Sequence, residues 1–148
     1  MSVVSMTSAL CRQLAALKID PTSFAELFAK WKTGWPREEY EFELFGKDGA
    51  YVNPRVDGAQ YVLRHVHLQP PRGRSRRDWD RAFVRRGRKT SDRHLVYVTD
   101  SRRGHLLIFV LEEPYGHSVA LMSNKDDKEA MEKFAIVAEN FIIDGHVP

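Results

Sequence analysis

The chain is poor in features that would set it apart from ordinary globular proteins. Cys11 is the one cysteine in 148 residues, so neither an internal disulfide nor a cysteine-rich metal site can form, and a buried structural thiol is expected. No apolar run approaches the roughly 18 residues of a membrane-spanning helix. The longest clean run, Leu106 to Leu111, suits a buried strand. Residues 1–17 lack a basic leader followed by a long apolar block, so no secretory signal is expected and the expected location is the cytoplasm. There is no phosphate-cradling loop, because Gly46-Lys-Asp-Gly49 is too short and opens no helix, and there is no G-x-S-x-G turn. His65-x-His67 has no acidic or cysteine partner at a recognised spacing, so no metal and no cofactor are expected. What remains, with 43% apolar and 29% charged residues, is the composition of one folded domain spanning residues 1–148.

Charge is unevenly placed. The formal net charge is only +3, yet between Arg64 and Arg103 thirteen bases face four acids, a net of +9, and the rest of the chain carries −6. Twelve of those thirteen bases are arginines, whose planar fork matches phosphate oxygens two at a time. The pattern fits a polyanionic partner, most simply nucleic acid, as well as it fits a solvated basic loop.

Leu10, Leu14 and Leu17 predict a first helix. Asp20-Pro21 reads as a cap and first residue of a second, with Phe24, Leu27, Phe28 and Trp31 as its apolar stripe and Gly34 and Pro36 as its stop. Residues 37–59 show no sustained period, with Phe42, Leu44, Phe45 and Tyr51 as core anchors. Strands are predicted over 60–69, 94–99 and 105–111, the last two joined as a hairpin by a basic turn at 101–104. Residues 70–91 read as a long basic loop with a short helix near Trp79 to Val84, and residues 114–124 as a second loop. Asp126-Asp127 open a final helix with Met131, Phe134, Ala135, Ala138, Phe141 and Ile142 on its apolar face. Helices, then a small antiparallel sheet, then a closing helix packed on it make the fold α+β.

Four of the six histidines fall beside the basic loop or at strand ends. RNA carries its own nucleophile, the 2′-hydroxyl, so a metal-free ribonuclease needs a base, an acid and cations for the phosphate. His65, His67, His94 and His117 can supply the first two, and Arg85, Arg86, Arg88 and Lys89 the third. Each histidine can equally serve the structure: His94 heads a strand and can bond a neighbouring carbonyl, while His105 and His146 read as structural or solvent-exposed. Trp79 either stacks on a base or anchors the loop.

Several phrases resemble the YafO family of type II toxins: Phe45-Gly-Lys-Asp-Gly-Ala-Tyr51, His65-Val-His-Leu68, Thr90-Ser-Asp-Arg-His-Leu-Val-Tyr97 and Leu106-Leu-Ile-Phe-Val-Leu111. His117, Asn124, Met131 and Ala138-Glu139-x-Phe141 follow in order. The resemblance implies a fold similar to the RelE and ParE toxins and a cognate antitoxin. It also implies metal-independent, ribosome-dependent mRNA cleavage by 2′-hydroxyl attack, with the ribosome and mRNA as partners. The residues it carries over are His65, His67, Thr90, Asp92, His94, Tyr97, His117 and Asn124, of which Thr90, Tyr97 and Asn124 are taken as RNA contacts. Within that set, His67 and His117 are the expected proton-transfer pair. Asp92 is expected to orient a histidine, and Arg88 to stabilise the phosphorane. The rivals are a ParE-type gyrase poison, which needs no proton-transfer groups, and a plain nucleic-acid-binding module.

Overall fold

Short polar side chains open the first two helices. In the computed structural model, which describes residues 3–148, the Thr7 hydroxyl accepts from the Leu10 amide and donates to the Ile108 carbonyl. It thereby starts α1 (Ser8–Ala16) and ties it to a distant strand. Asp20 accepts from the Ser23 amide at 3.0 Å, and Pro21 takes the first position of α2 (Pro21–Gly34), as the sequence predicts. Leu10, Leu14, Phe24, Phe28 and Trp31 are buried, whereas Leu17 lies beyond the end of α1 and is exposed. Cys11 is half-buried rather than buried.

The predicted strands appear as β3 (Leu63–Leu68), β4 (His94–Asp100) and β5 (Gly104–Leu111), with β4 and β5 forming the expected hairpin. Two strands were not legible. β1 (Val4–Met6) runs parallel to β5, and β2 (Phe45–Ala50) runs antiparallel to β3, so the sheet is mixed, in the order β1-β5-β4-β3-β2, rather than purely antiparallel. A three-residue strand shows no alternation, and β2 contains two glycines, a lysine and an aspartate, all poor strand formers. Gly46 is required there: a Cβ would stand 2.2 Å from the Lys89 carbonyl oxygen and 2.6 Å from the Trp79 ring.

The second correction concerns residues 70–91. Instead of a loop with a short helix near Trp79 to Val84, Arg74–Arg86 forms the 13-residue helix α3, closed by Gly87 in the left-handed region (φ 69°). Arginine is a good helix former, but the segment buries only Trp79, so the apolar periodicity that normally reports a helix is missing. Trp79 is an anchor here, 1% exposed. Within the predicted 114–124 loop lies the short helix α4 (Gly116–Ala120), and α5 (Lys125–Asp144) follows.

The sheet is sandwiched. α1 and α2 cover one face over Val66, Leu68, Leu95, Tyr97, Leu107 and Val110. α5 covers the other through Met131, Ala135, Ala138 and Phe141, over Leu63, Val96, Val98, Leu106 and Ile108. His65 and His67 alternate with Val66 and so continue the α5-side face beyond the helix's apolar stripe. Among the described residues no helix is long and apolar enough to cross a membrane.

Candidate active site

The site grows from that uncovered end of the sheet. β3 supplies His65 and His67, the register places His94 directly opposite His67, and α4 brings in His117. The rings form one continuous cluster, with centroids 4.4 Å apart for His67 and His94, 4.6 Å for His94 and His117, and 5.0 Å for His65 and His94. Gly116 makes this possible, since a Cβ there would meet the Asp92 carbonyl oxygen at 2.5 Å and His94 Cγ at 3.0 Å.

The turn into β4 orients the rings. The Ser91 amide donates to His67 Nδ1 at 2.9 Å, which fixes neutral His67 with its proton on Nε2. The Ser91 carbonyl takes the His94 Nε2 proton at 3.0 Å, leaving His94 Nδ1 buried and without a partner. Asp92 Oδ1 accepts from both the backbone amide and Nδ1 of His117, at 2.7 and 2.6 Å, so the unbonded nitrogen of His117 is Nε2. His65 stacks on Tyr51 at 4.4 Å, and its Nδ1 is also buried without a partner. Arg93, one of the central arginines, is committed to Glu112 (2.6 Å) and to the Gln69 carbonyl (3.1 Å), which secures this turn.

Burial pushes His65 down to about 3, His67 to about 2 and His94 to about 4, helped by the mutual repulsion that protonation would create. The three inner rings are therefore neutral at physiological pH. His117, exposed and paired with Asp92, forms the outer wall. An open pocket of about 550 Å³ is lined by Lys47, Gly49, His65, His67, Thr90, Ser91 and His117.

Nitrogens of His67, His94 and His117 lie within 4.8 Å of one another, a spacing a nitrogen-ligated metal could use. Hydrogen bonding argues against three ligands, because with Ser91 donating to Nδ1 of His67 the set offers two imidazole lone pairs and one N–H.

Of the sequence-derived candidates, the structure brings His65, His67, Asp92, His94, Thr90 and His117 together, with His94 behind the pocket wall at 1% exposure. Two candidates are corrected. Tyr97 is fully buried on the opposite face, donating to Asp48 at 2.5 Å, and has no surface to offer RNA. Lys89 is buried, its Nζ donating to the Tyr40 and Phe42 carbonyls at 2.8 and 3.1 Å. Asn124 accepts from the Asp127 amide as the cap of α5. Arg85, Arg86 and Arg88 are exposed. Lys47 and Ser91 were missed. Lys47 is the pocket's basic side chain, and the only signal for it was its place between two glycines.

A family model for YafO, the toxin of a type II toxin–antitoxin system, matches residues 30–143, a span that contains every residue of the pocket. No curated protein and no solved structure matches the chain significantly. On the strength of a match over more than half its length, the chain belongs to the YafO toxin family of type II toxin–antitoxin systems, and a cognate antitoxin is its implied partner.

Proposed function

We propose that this toxin is a cytoplasmic, metal-independent and ribosome-dependent mRNA endonuclease that arrests translation, with a RelE/ParE-like relationship in fold. The observation carrying the proposal is the Asp92–His117 pair beside His67, the two imidazoles 5.6 Å apart in the lining of one pocket, with His67 held as an N–H donor. The 2′-hydroxyl oxygen attacks phosphorus while its proton passes to His117 Nε2. Asp92 holds that ring and stabilises the imidazolium that forms. Since His67 is pushed to about 2, it is a poor source of a proton, and its role becomes a neutral Nε2–H donor to the developing phosphorane. The Lys47 ammonium neutralises charge and protonates the leaving 5′-oxygen as the P–O5′ bond breaks. The products are a 2′,3′-cyclic phosphate and a 5′-hydroxyl end. Arg85, Arg86, Arg88 and Thr90 remain the proposed RNA contacts, and His65 and His94 support the wall.

The test is controlled expression in a bacterium with transcript 5′ ends mapped before and after induction. New 5′-hydroxyl ends inside translated regions are expected with the wild type and should vanish with His117→Ala. Growth arrest with intact transcripts would overturn cleavage and favour a target-binding poison of the gyrase-directed kind. Absence of arrest would leave a nucleic-acid-binding module.

A further inference from the structure

Helix α3 carries six arginines and two aspartates in 13 residues, and they are not scattered. At 100° per residue, Arg74, Arg77, Arg81 and Arg85 fall on one stripe, at spacings of three, four and four. Trp79 and Phe83 lie on the opposite side, where Trp79 is buried and Phe83 packs near Tyr40 and under Lys89 Nζ. The helix is fastened by that side alone: Trp79 against Gly46, and Ser75 donating to Glu113 at 3.0 Å. All four stripe arginines are exposed, and none forms an ion pair among the described residues. The stripe runs about 16 Å along a rigid element.

We infer that this stripe is a docking surface for the phosphate backbone of duplex RNA, separate from the pocket that takes the strand to be cut. Three features select that occupant. Four guanidinium groups in a row, none ion-paired among the described residues although Asp78 shares their face, match a polyanion with regularly spaced charge. A single-strand groove stacks bases on aromatic side chains, yet the stripe's face presents none, Trp79 being buried and Phe83 on the far side. A protein partner's interface needs an apolar centre, and the only apolar residue near the stripe is Val84 at its margin, 84% exposed. Duplex RNA is read by shape and backbone, which is all this face can contact. The inference rests on the proposed function only in taking RNA as the partner, and α3 leads directly through Gly87 and Arg88 to Thr90 at the pocket rim.

The experiment measures binding of the full chain to a 20-base-pair RNA duplex of arbitrary sequence by fluorescence anisotropy, from about 50 to 200 mM salt. The same strand unpaired and the same sequence as duplex DNA serve as comparators. Replacing the four stripe arginines with glutamine should lower the slope of log affinity against log salt by about 3, at roughly 0.7–0.9 per phosphate contact. Replacing them with lysine should retain most of it, since charge is kept while the bidentate fork is lost. These side chains are exposed, so unchanged melting temperatures are expected in both variants. His117→Ala should bind the duplex like wild type, so loss of cleavage and loss of docking are separately visible. An unchanged slope in the glutamine variant, tighter binding of the unpaired strand, or displacement of the duplex by polyglutamate at equal charge would each overturn the inference.

Discussion

Two polar clusters lie back to back across the β2–β3 edge of the sheet, and they are built on opposite rules. On the α2 face, the Asp48 carboxylate is fully enclosed and every approach to it is taken: Lys32 at 3.0 Å, Arg64 at 2.8 Å and the Tyr97 hydroxyl at 2.5 Å. Lys32 is further held 4.0 Å over the Trp35 ring. On the α5 face, the histidines leave two buried nitrogens, on His65 and His94, without partners, and an outward Nε2 on His117. An unpartnered buried polar group costs free energy wherever it lies, and Trp35 Nε1 beside Lys32 is such a group too. What separates the clusters is that the enclosed Asp48 carboxylate is saturated and acts as a staple, whereas the histidines border an open pocket and make up the candidate site, although both draw on residues adjacent in β2.

That contrast can be broken at its strongest point by Asp48→Asn, which leaves Lys32 and Arg64 without their counter-charge. A loss of about 3 kcal/mol in urea unfolding is expected, with cleavage per folded molecule retained. A loss of activity without loss of stability would reverse the assignment of the two clusters. Asp92→Asn should do the opposite. Single-turnover cleavage should fall by about 10²-fold or more while the unfolding midpoint hardly moves, because the carboxylate that supports the His117 imidazolium is gone.

Acidity separates the clusters more gently. The inner histidines and His105 titrate in the folded protein at about 2 to 4, below the ordinary 6.5, so the unfolded chain binds more protons between those limits. Stability is therefore full above about pH 6.5 and declines as pH falls toward 4, by up to about 1.4 kcal/mol per pH unit for each such proton. His65→Phe, which can still stack on Tyr51, should flatten that decline by about one proton when unfolding is followed from pH 7 to 4. The smallest effect sharpens the comparison. Tyr97→Phe should cost about 1 kcal/mol and leave RNA binding unchanged, as befits a residue of the staple.

Much of the fold was readable because it rests on local signals. Asp20-Pro21 announces a helix start, alternation in 63–68 announces a strand, and the spacing of Met131, Ala135 and Ala138 announces a packed helix. α3 escaped because its periodicity is written in arginine rather than in apolar residues, and β1 because its existence depends on a partner about a hundred residues away. The four histidines were legible as a chemistry. Their arrangement was not, since the path from Leu68 to His94 that aligns them is set by tertiary packing. Lys89 misled because residue type advertises a phosphate contact, and Tyr97 because the family resemblance carried it over; only burial tells whether either group faces solvent.

The Ser91 contacts have one more implication. The atoms that decide where His67 and His94 carry their protons are a main-chain N–H and a main-chain carbonyl. Among the standard residues only proline, which lacks the N–H, would remove one of them outright. The Ser91 hydroxyl, donating to the Leu68 carbonyl at 2.6 Å and accepting from the Arg93 amide at 3.2 Å, helps hold the turn that aims them, so the protonation pattern of the site is inherited with a backbone path that this side chain itself fastens.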